Sequence, residues 1–411
     1  MLSDNRCLAG RMEALCQFKG GSQLALADKL KADHILPADH HQAALVGRVW
    51  SEDQGGPCVV TLRNALVFDL TAIAATMSGL LERDDLFRIL ERDDLPCLGG
   101  LDEFLDGTSG RLLAPVDLQA LKAAGVTFAE SMLERVIEEQ ARGDAARAQE
   151  IRGRLAPVIG ENLRDIKAGS AKAAQVKTLL QDMGLWSQYL EVGIGPDAEI
   201  FTKSQPMSAV GCGERVGIHS MSHWNNPEPE VVLVLRADGS IVGASLGNDV
   251  NLRDVEGRSA LLLGKAKDNN ASCALGPFIR LFDDTFAFDD LDKVVVSLSV
   301  EGEDGFTMTG ESPMQAISRS PTDLVGQMRN RSHQYPDGAV LFLGTMFAPT
   351  KDRHGVGQGF THETGDRVEI SAPSLGCLVN SVDYSDACPE WSFGTVALFR
   401  NLFSRGLGEK V

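Results

Sequence analysis

The stretch that most constrains the fold is a run of apolar residues that begins at a pair of glutamates. Glu228 and Glu230 stand two positions apart at the start of 231–235, where every residue is valine or leucine. Residues i and i+2 of a β-strand point to the same face, so the two carboxylates are predicted to project side by side. The sequence ADGS over 237–240 predicts a hairpin turn into a returning strand over 241–246. Asp249 follows that strand and is therefore expected beside the pair.

Three carboxylates held close together repel one another unless a cation lies among them. A hard divalent ion such as Mg²⁺ prefers oxygen ligands of this kind. The spacing therefore indicates a metal site at Glu228, Glu230 and Asp249. The alternative interpretation is a solvated strand edge, where charged residues discourage strand-to-strand aggregation. Spacing alone leaves both interpretations open, since short motifs have many false matches.

Length and charge limit the class of protein. A chain of 411 residues can form two domains with a large core. The formal net charge of −18 argues against nucleic acid or an anionic membrane as a partner. No stretch approaches membrane-spanning length, and the first residues lack the apolar segment of a signal peptide. The eight cysteines are scattered without C-x-x-C pairs, which favours reduced thiols. We therefore expect a soluble, cytoplasmic protein.

Apolar and alternating runs predict the other regular elements. Short strands are expected over 44–50, 57–62 and 65–70, before a helix near 71–83. Residues 136–190 are rich in Glu, Arg, Ala and Lys with apolar residues at helical spacing, which predicts helices there. Further strands are expected over 198–203, 294–300, 306–310, 339–345, 365–371 and 376–382, with a helix over 323–331.

Several motifs together resemble the fumarylacetoacetate hydrolase superfamily. They are PEPE over 227–230, GxxxGND over 243–249, RD at 253–254, AK at 266–267 and GP at 276–277. The resemblance implies that Glu228, Glu230 and Asp249 bind Mg²⁺, with Mn²⁺ or Ca²⁺ as alternatives. It also implies an α+β fold, in which a smaller N-terminal α/β accessory domain (1–110) precedes a catalytic domain (111–411) with a rolled mixed β-sheet. A helical arm is expected at about 130–190.

The segment 125–134 distinguishes between reactions within the superfamily. Family hydrolases carry G-x-N-Y-x-x-H-x-x-E, whose His and Glu activate the attacking water. Here Ser131 stands at the position of the His, and Glu134 stands at that of the Glu. A serine hydroxyl without a base cannot deprotonate water near neutral pH, whereas imidazole can. This departure argues against hydrolysis of a carbon–carbon bond.

The whole pattern is most similar to the 2-keto-3-deoxy-D-pentonate dehydratase branch, as the stretches AEIFTKSQPMS (198–208) and WNNPEPE (224–230) illustrate. The resemblance implies loss of water from 2-keto-3-deoxy-D-xylonate to give 2-oxoglutarate semialdehyde, in nonphosphorylating pentose catabolism. It implies that Lys267 lies near this small 2-oxo acid and Glu199 near the metal. Because family members commonly form dimers or tetramers, a homo-oligomer is expected.

Roles for these residues follow as hypotheses. Lys267 is a candidate base at C3, with its pKa lowered by the nearby dication, and Glu199 is a candidate acid for the departing C4 hydroxyl. The roles can be exchanged, with Lys267 stabilising the enolate instead. A lone lysine is otherwise more often a surface charge. Substrate-binding residues are predicted at Ser131, Glu134, Lys203, Arg253 and Thr345.

Two alternatives to the dehydratase remain open. One is a hydrolase of acylpyruvates or 2,4-diketo acids from the same superfamily. The other is a 2-oxo-acid binding protein without turnover. Release of pyruvate would distinguish the first, and tight binding without product would distinguish the second.

Overall fold

The computed structural model describes residues 30–128, 150, 153, 167–182, 184, 186–347, 349, 351–356 and 359–411. Its strands, in chain order, are β1 Leu45–Ser51, β2 Gly56–Arg63, β3 Leu66–Asp69, β4 Cys97–Gly100, β5 Gly110–Leu113, β6 Ala120–Gly125, β7 Glu199–Ser204, β8 Arg215–Ile218, β9 Asn225–Asn226, β10 Pro229–Leu235, β11 Ile241–Asp249, β12 Asn251–Leu252, β13 Cys273–Leu281, β14 Val295–Glu301, β15 Thr307–Pro313, β16 Ala339–Phe342, β17 Arg367–Ala372 and β18 Gly376–Tyr384.

The helices are short and lie between the strands. They are the α-helices Ala32–Ile35, Met77–Leu81, Leu86–Leu90, Leu101–Leu105, Ala171–Asp182, Gln188–Ile194, Arg253–Glu256, Leu263–Lys267, Pro321–Met328 and Thr395–Ser404, and the 3-10 helices Ala260–Leu262, Phe288–Lys293, Met314–Ala316 and Gly408–Lys410. Much of the predicted helical arm lies outside the described residues. Its described part contains Ala171–Asp182 and Gln188–Ile194.

An 11-stranded sheet forms the centre of the protein, in the order β4-β3-β2-β1-β13-β11-β10-β16-β6-β7, with β5 also paired to β1. The predicted hairpin is confirmed: β10 and β11 pair antiparallel, with Val231 opposite Leu246. Every residue of β10 is buried. A strand buried on both faces has the continuous apolar sequence seen over 231–235. The metal-site motif therefore lies in the interior of the sheet, and the solvated-edge interpretation is wrong.

A second, five-stranded sheet packs on the first, in the order β15-β14-β17-β18-β8. The predicted hairpin of β14 and β15 is confirmed, with Leu298 opposite Gly310. Leu298 and Ile370 of this sheet share one apolar core with Leu233 and Leu246 of the main sheet. Parallel pairs (β16 with β6, and β18 with β8) occur among antiparallel ones, so both sheets are mixed. The predicted α+β fold with mixed sheets is confirmed.

The strands before residue 110 belong to the main sheet. Leu45 and Val46 of β1 pair with Arg280 and Ile279 of β13, which joins the first strands to the strands of the metal motif. Backbone hydrogen bonds therefore run across the sequence position at which two domains were predicted to divide. The division into 1–110 and 111–411 stays a prediction.

Two further features bear on the class of protein. None of the described helices is long and apolar enough to cross a membrane. The cysteines of the described part of the chain are free thiols, at positions 58, 97, 212, 273, 377 and 388.

Candidate active site

The three predicted metal ligands come together at the end of the β10–β11 hairpin. Glu228, Glu230 and Asp249 are all buried, and each offers a carboxylate oxygen within 4.8 Å of those of the other two. Backbone pairing continues past β10, because the N–H of Asp249 donates to the carbonyl of Glu228 at 3.1 Å. The side-by-side projection that the i, i+2 spacing predicts is thus present, with the third carboxylate brought back by the returning strand.

Neighbouring polar groups fix the glutamates in place. The N–H of Gly344 donates to Glu230 Oε2 at 2.6 Å, and Asn251 Nδ2 donates to Glu228 Oε1 at 3.0 Å. Gly344 has a φ of +84°, and a Cβ there would lie 2.1 Å from Thr127 Oγ1. Both the left-handed backbone and the lack of space require glycine at this turn. The Gly-Thr turn after β16 thus orients a metal-ligand candidate.

Two buried lysines contact the cluster. Lys267 Nζ lies 2.5 Å from Glu228 Oε2 and 3.0 Å from Asp249 Oδ2. Lys203 is fully buried, and its Nζ lies 3.0 Å from Asp249 Oδ1. The ammonium of Lys203 also donates to the carbonyls of Lys267 and Val250, at 2.5 and 3.3 Å. Lys203 is therefore a partner of a metal-ligand candidate and does not line the pocket, so its predicted substrate-binding role stays a prediction.

The electrostatics of the cluster show that its negative charge is in excess. Burial raises the pKa of Glu230 well above its usual value, and the carboxylates of Asp249 and Glu228 raise it further. Burial alone would lower the pKa of Lys267, but Asp249 and Glu228 overcome that effect and hold it above its usual value. Three buried carboxylates thus face two buried ammonium groups. A dication bound among these carboxylates would lower the pKa of Lys267. The lowered pKa that we predict from the sequence therefore stays a prediction for the metal-bound site.

The donor set fits a hard divalent cation. Asp249 Oδ1 is buried and accepts no hydrogen bond of good geometry from the described residues, although the Lys203 ammonium forms an ion pair with it. Mg²⁺ prefers six oxygens in an octahedron. Glu228, Glu230 and Asp249 would hold such an ion through carboxylate oxygens, and water or a chelating substrate would supply its other ligands. The excess negative charge and the all-oxygen donors therefore both favour Mg²⁺ at this position.

A pocket opens directly over the three carboxylates. It is lined by residues of β6, β7, the β16 turn and the helices after β12, namely Ala124, Gly125, Val126, Glu199, Phe201, Glu228, Glu230, Asp249, Glu256, Lys267, Gly344 and Thr345. Glu199 stands opposite Gly125 in the β6–β7 pair. A Cβ on Gly125 would lie 2.0 Å from Glu199 Oε2, so glycine leaves room for this carboxylate. Glu199, Lys267 and Thr345 thus share one pocket with the metal-ligand candidates.

Arg253, Ser131 and Glu134 are the other predicted substrate-binding residues. Arg253 does not line this pocket, and its guanidinium lies 4.5 Å from the centre of the Trp224 ring. Ser131 and Glu134 are outside the described residues. Their substrate-binding roles stay predictions.

Two residues of the site were not predicted. Asn251 Nδ2 donates to Glu228 and also to Glu256 Oε2, at 2.6 Å, so its amide links a metal-ligand candidate to a second carboxylate of the pocket. Both residues belong to the stretch GNDVNLRDVEG over 247–257, two and seven positions after Asp249. A helical turn over Arg253–Glu256 brings Glu256 back over the site, and short polar stretches give little indication of such a turn.

Comparison with known proteins agrees with this geometry. The model of the fumarylacetoacetate (FAA) hydrolase C-terminal family matches residues 177–383, which is half of the chain and includes all three carboxylates. The chain belongs to this family. The family match begins in the helix Ala171–Asp182 and ends in β18. It includes β10 and β11 of the main sheet and β17 of the second sheet.

Two curated relatives are about one third identical to this chain over the aligned residues. One, from Haloferax volcanii, bears the name "Probable 2-keto-3-deoxyxylonate dehydratase"; it is 31% identical over 213 residues, which are 52% of this chain and 68% of the relative. The other, the 2-dehydro-3-deoxy-D-arabinonate dehydratase of Saccharolobus solfataricus, is 33% identical over 184 residues, which are 45% of this chain and 58% of the relative.

A solved structure with the same fold is that of a 2-keto-3-deoxy-D-arabinonate dehydratase complexed with magnesium and 2,5-dioxopentanoate. It superimposes with a TM-score of 0.56 over 83% of this chain and 99% of that one, at 21% sequence identity. At this identity the likeness shows that the fold is shared.

Proposed function

We propose that this protein is a metal-dependent hydro-lyase that converts 2-keto-3-deoxy-D-pentonate to 2-oxoglutarate semialdehyde. The observation that carries the proposal is the shared pocket, in which Lys267 and Glu199 lie with the buried cluster of Glu228, Glu230 and Asp249. The names of the two curated relatives support the same substrate class. The proposal includes Mg²⁺ as the cofactor, held by the three carboxylates.

The residues of the pocket can account for the loss of water. When bound, Mg²⁺ supplies Lewis acidity that polarises a keto oxygen and makes an adjacent proton easier to remove. Thr345, on the turn that orients Glu230, is proposed to hold the substrate carboxylate. Removal of a C3 proton and departure of the C4 hydroxyl with one proton then release water. The shift of a proton from C5 to C3 of the unsaturated product gives an enol, and transfer of the enol hydroxyl proton to C4 then gives the aldehyde.

Two assignments of the proton transfers fit the pocket. In the first, Lys267 gives up its ion pairs with Glu228 and Asp249 and passes its proton to solvent. It then takes the proton at C3, while Glu199 protonates the C4 hydroxyl. In the second, Lys267 keeps its proton and stabilises the enolate charge. Glu199 then takes the C3 proton and delivers it to the departing hydroxyl. Both assignments balance, and both make Lys267 and Glu199 catalytic residues.

The test is a direct assay with a matched pair of lysine variants. The protein with Mg²⁺ is incubated with 2-keto-3-deoxy-D-xylonate, and the semialdehyde is followed through a coupled NAD(P)⁺-dependent dehydrogenase. We expect product that is abolished by EDTA and by Lys267→Ala. Lys265→Ala, two positions earlier on the exposed side of the same helix, should retain the activity.

Other outcomes would overturn the proposal. Pyruvate released from an acylpyruvate, with no semialdehyde from the pentonate, identifies a hydrolase. Tight binding of the 2-oxo acid without product over long incubation identifies a binding protein. Equal activity in Lys267→Ala and Lys265→Ala would remove Lys267 from the mechanism.

The setting of the enzyme is also part of the proposal. We propose a cytoplasmic enzyme of nonphosphorylating pentose catabolism, which acts as a homo-oligomer, either a dimer or a tetramer. The free thiols of the described cysteines are consistent with a reducing compartment. Light scattering after size-exclusion chromatography would measure the mass against the 44.2 kDa of one chain.

A further inference from the structure

A second group of metal-ligating side chains lies on the five-stranded sheet, away from the pocket. His34 belongs to the helix Ala32–Ile35, Glu369 to β17 and Cys377 to β18. Their ligand atoms all lie within 4.8 Å of one another. His34 Nε2 is 3.2 Å from Glu369 Oε1 and 3.9 Å from Cys377 Sγ. An imidazole, a carboxylate and a thiol thus point at one spot.

The sheet register explains how the two strands contribute. Cys377 stands directly opposite Ser371 in the β17–β18 pair, and Glu369 lies two positions before Ser371. Residues two apart on a strand share a face, so the Glu369 and Cys377 side chains are diagonal neighbours on one face of the sheet.

A glycine allows the helix to approach that face. Gly376 has a φ of +89°, and a Cβ at this position would lie 2.2 Å from the carbonyl oxygen of Ile35. The helix Ala32–Ile35 therefore packs closer to β18 than any residue with a side chain at 376 would permit. This close approach brings His34 within reach of Cys377 across more than 340 positions of sequence.

The distances match those of a tetrahedral zinc site. Zinc bonds of about 2.0–2.1 Å to nitrogen or oxygen and about 2.3 Å to sulfur set neighbouring ligand atoms roughly 3.3–3.6 Å apart. The measured 3.2 and 3.9 Å lie within a few tenths of an ångström of that range. The ligand atoms of Glu369 and Cys377 lie within 4.8 Å of each other, so side-chain rotations would have to bring this third pair into the same range.

The charges of the surroundings leave the carboxylate able to bind. Arg367 contacts Glu369, and that contact and the one from His34 both use Oε1. A metal ion would therefore compete with Arg367 for Oε1, the oxygen that lies 3.2 Å from His34 Nε2. Arg367 Nη1 also lies 3.8 Å from Glu301 Oε2. Glu301 can therefore pair with the Arg367 guanidinium when the Glu369 carboxylate turns toward a metal ion.

We propose that His34, Glu369 and Cys377 form a second metal site, which takes a thiophilic divalent ion such as Zn²⁺. The donor set of one nitrogen, one oxygen and one sulfur is that of borderline-soft metals, whereas the all-oxygen cluster of the pocket suits Mg²⁺. The His34 side chain is 42% exposed, which gives an ion a route from solvent. Binding replaces the thiol proton of Cys377, which passes to solvent, and water occupies the fourth position. The bound ion ties the helix Ala32–Ile35 to the five-stranded sheet.

Cobalt binding provides a spectroscopic test that distinguishes this site from the carboxylate cluster of the pocket. A cobalt–thiolate bond absorbs strongly in the near ultraviolet through charge transfer, whereas cobalt bound by carboxylates does not. The full-length protein is freed of metal with EDTA, desalted and titrated with Co²⁺. We expect a charge-transfer band that saturates with one equivalent at this site and is bleached by added Zn²⁺.

Matched variants assign the band. Cys377→Ser should abolish it, and His34→Ala should weaken the affinity for Co²⁺ by at least about 10-fold. Cys97→Ser, which alters an exposed thiol elsewhere, and Glu230→Gln, which alters the pocket, should both retain the band. Because His34 is half exposed, its alanine variant decides the question even if Cys377→Ser fails to fold.

The proposal is overturned by the absence of a charge-transfer band at saturating Co²⁺. A band that survives in His34→Ala with unchanged affinity, or one that disappears in Cys97→Ser, would also overturn it. The result is independent of the dehydratase assay, since Glu230→Gln is expected to lose turnover while keeping the cobalt–thiolate band.

Discussion

Two of the buried charge clusters among the described residues differ in their charge balance, one at the end of the β10–β11 hairpin and one around Asp366. The first holds three buried carboxylates against the ammonium groups of Lys203 and Lys267. In the second, the Arg353 guanidinium binds both oxygens of Asp366, at 2.7 Å each, and its side chain is 1% exposed. Buried negative charge is balanced at Asp366 and in excess at the hairpin.

The difference separates a structural cluster from a functional one. His362 Nδ1 and the N–H of Glu363 also reach Asp366, at 2.9 and 3.1 Å, so that carboxylate is saturated with donors. Burial alone would raise the pKa of Asp366, but hydrogen bonds from His362 and Arg353 hold it below its usual value. At the hairpin the pKa of Glu230 moves the other way. A protein retains such an imbalance where a ligand supplies the missing positive charge.

The largest expected effect is that of Glu230→Gln. The substitution removes a direct ligand of the metal. Loss of a residue that only contacts a ligand can lower metal affinity by roughly 100-fold, so we expect the Mg²⁺ affinity of this variant to fall by more than that. In EDTA the same variant should unfold at a higher urea concentration than the wild type, since repulsion within the cluster is relieved. Calorimetric Mg²⁺ titration and urea denaturation measure the two effects.

Glu311→Gln, on the exposed face of β15, is the matched control and should change neither quantity. An unchanged Mg²⁺ affinity in Glu230→Gln would show that the cluster at the hairpin does not bind the metal, and it would contradict the functional role that we assign to this cluster.

Arg353→Met should show the opposite behaviour. The substitution leaves Asp366 buried without its main partner, and breaking such a pair typically costs about 3–5 kcal/mol of the free energy of unfolding. The Mg²⁺ affinity of the folded variant should stay that of the wild type. Urea denaturation measures the loss, with Arg88→Met as a control whose side chain is 80% exposed. Loss of Mg²⁺ affinity in Arg353→Met would show that the clusters are coupled.

Lys203→Met tests the contact of Lys203 with the metal cluster. Lys203 contacts Asp249 without lining the pocket, so its loss should lower the Mg²⁺ affinity by roughly 10- to 100-fold. High Mg²⁺ should then restore most of the turnover, in contrast to Glu230→Gln. Lys122→Met, which removes a lysine that donates to Thr202 on the neighbouring strand, is the control. If turnover stays low at saturating Mg²⁺, Lys203 has a more direct part in catalysis.

The smallest effect concerns His362 and pH. Burial lowers the pKa of His362 below 6.5 despite its hydrogen bond to Asp366, so the folded protein holds this imidazole neutral. The unfolded chain then binds more protons between the folded pKa and about 6.5. The free energy of unfolding should therefore fall as the pH drops through that window, by at most about 1.4 kcal/mol per pH unit.

His362→Gln should flatten this dependence, whereas His333→Gln, at an exposed position, should retain it. Urea denaturation at a series of pH values between 7 and 5 makes the comparison. An equal slope in both variants would mean that another group titrates in this window.

Local features of the fold and site were predictable from the sequence, whereas features that join distant segments were less so. The i, i+2 spacing of Glu228 and Glu230 and the turn over 237–240 act within one hairpin, and both were predicted correctly. The role of the Gly344 N–H and the fit of Gly125 against Glu199 depend on strand order. No local pattern carries that order, because pairing partners such as β6 and β16 lie more than 200 positions apart.

The position of β10 between β11 and β16 has a consequence for synthesis of the chain. The hairpin of β10 and β11 leaves the ribosome before β16, which is the other strand that pairs with β10 and follows roughly 100 residues later. At about 5–20 residues per second, the apolar strand waits roughly 5–20 s for this partner. The N–H of Gly344 that orients Glu230 also emerges only then. The metal cluster of a nascent chain is therefore completed late, after most of the protein has been translated.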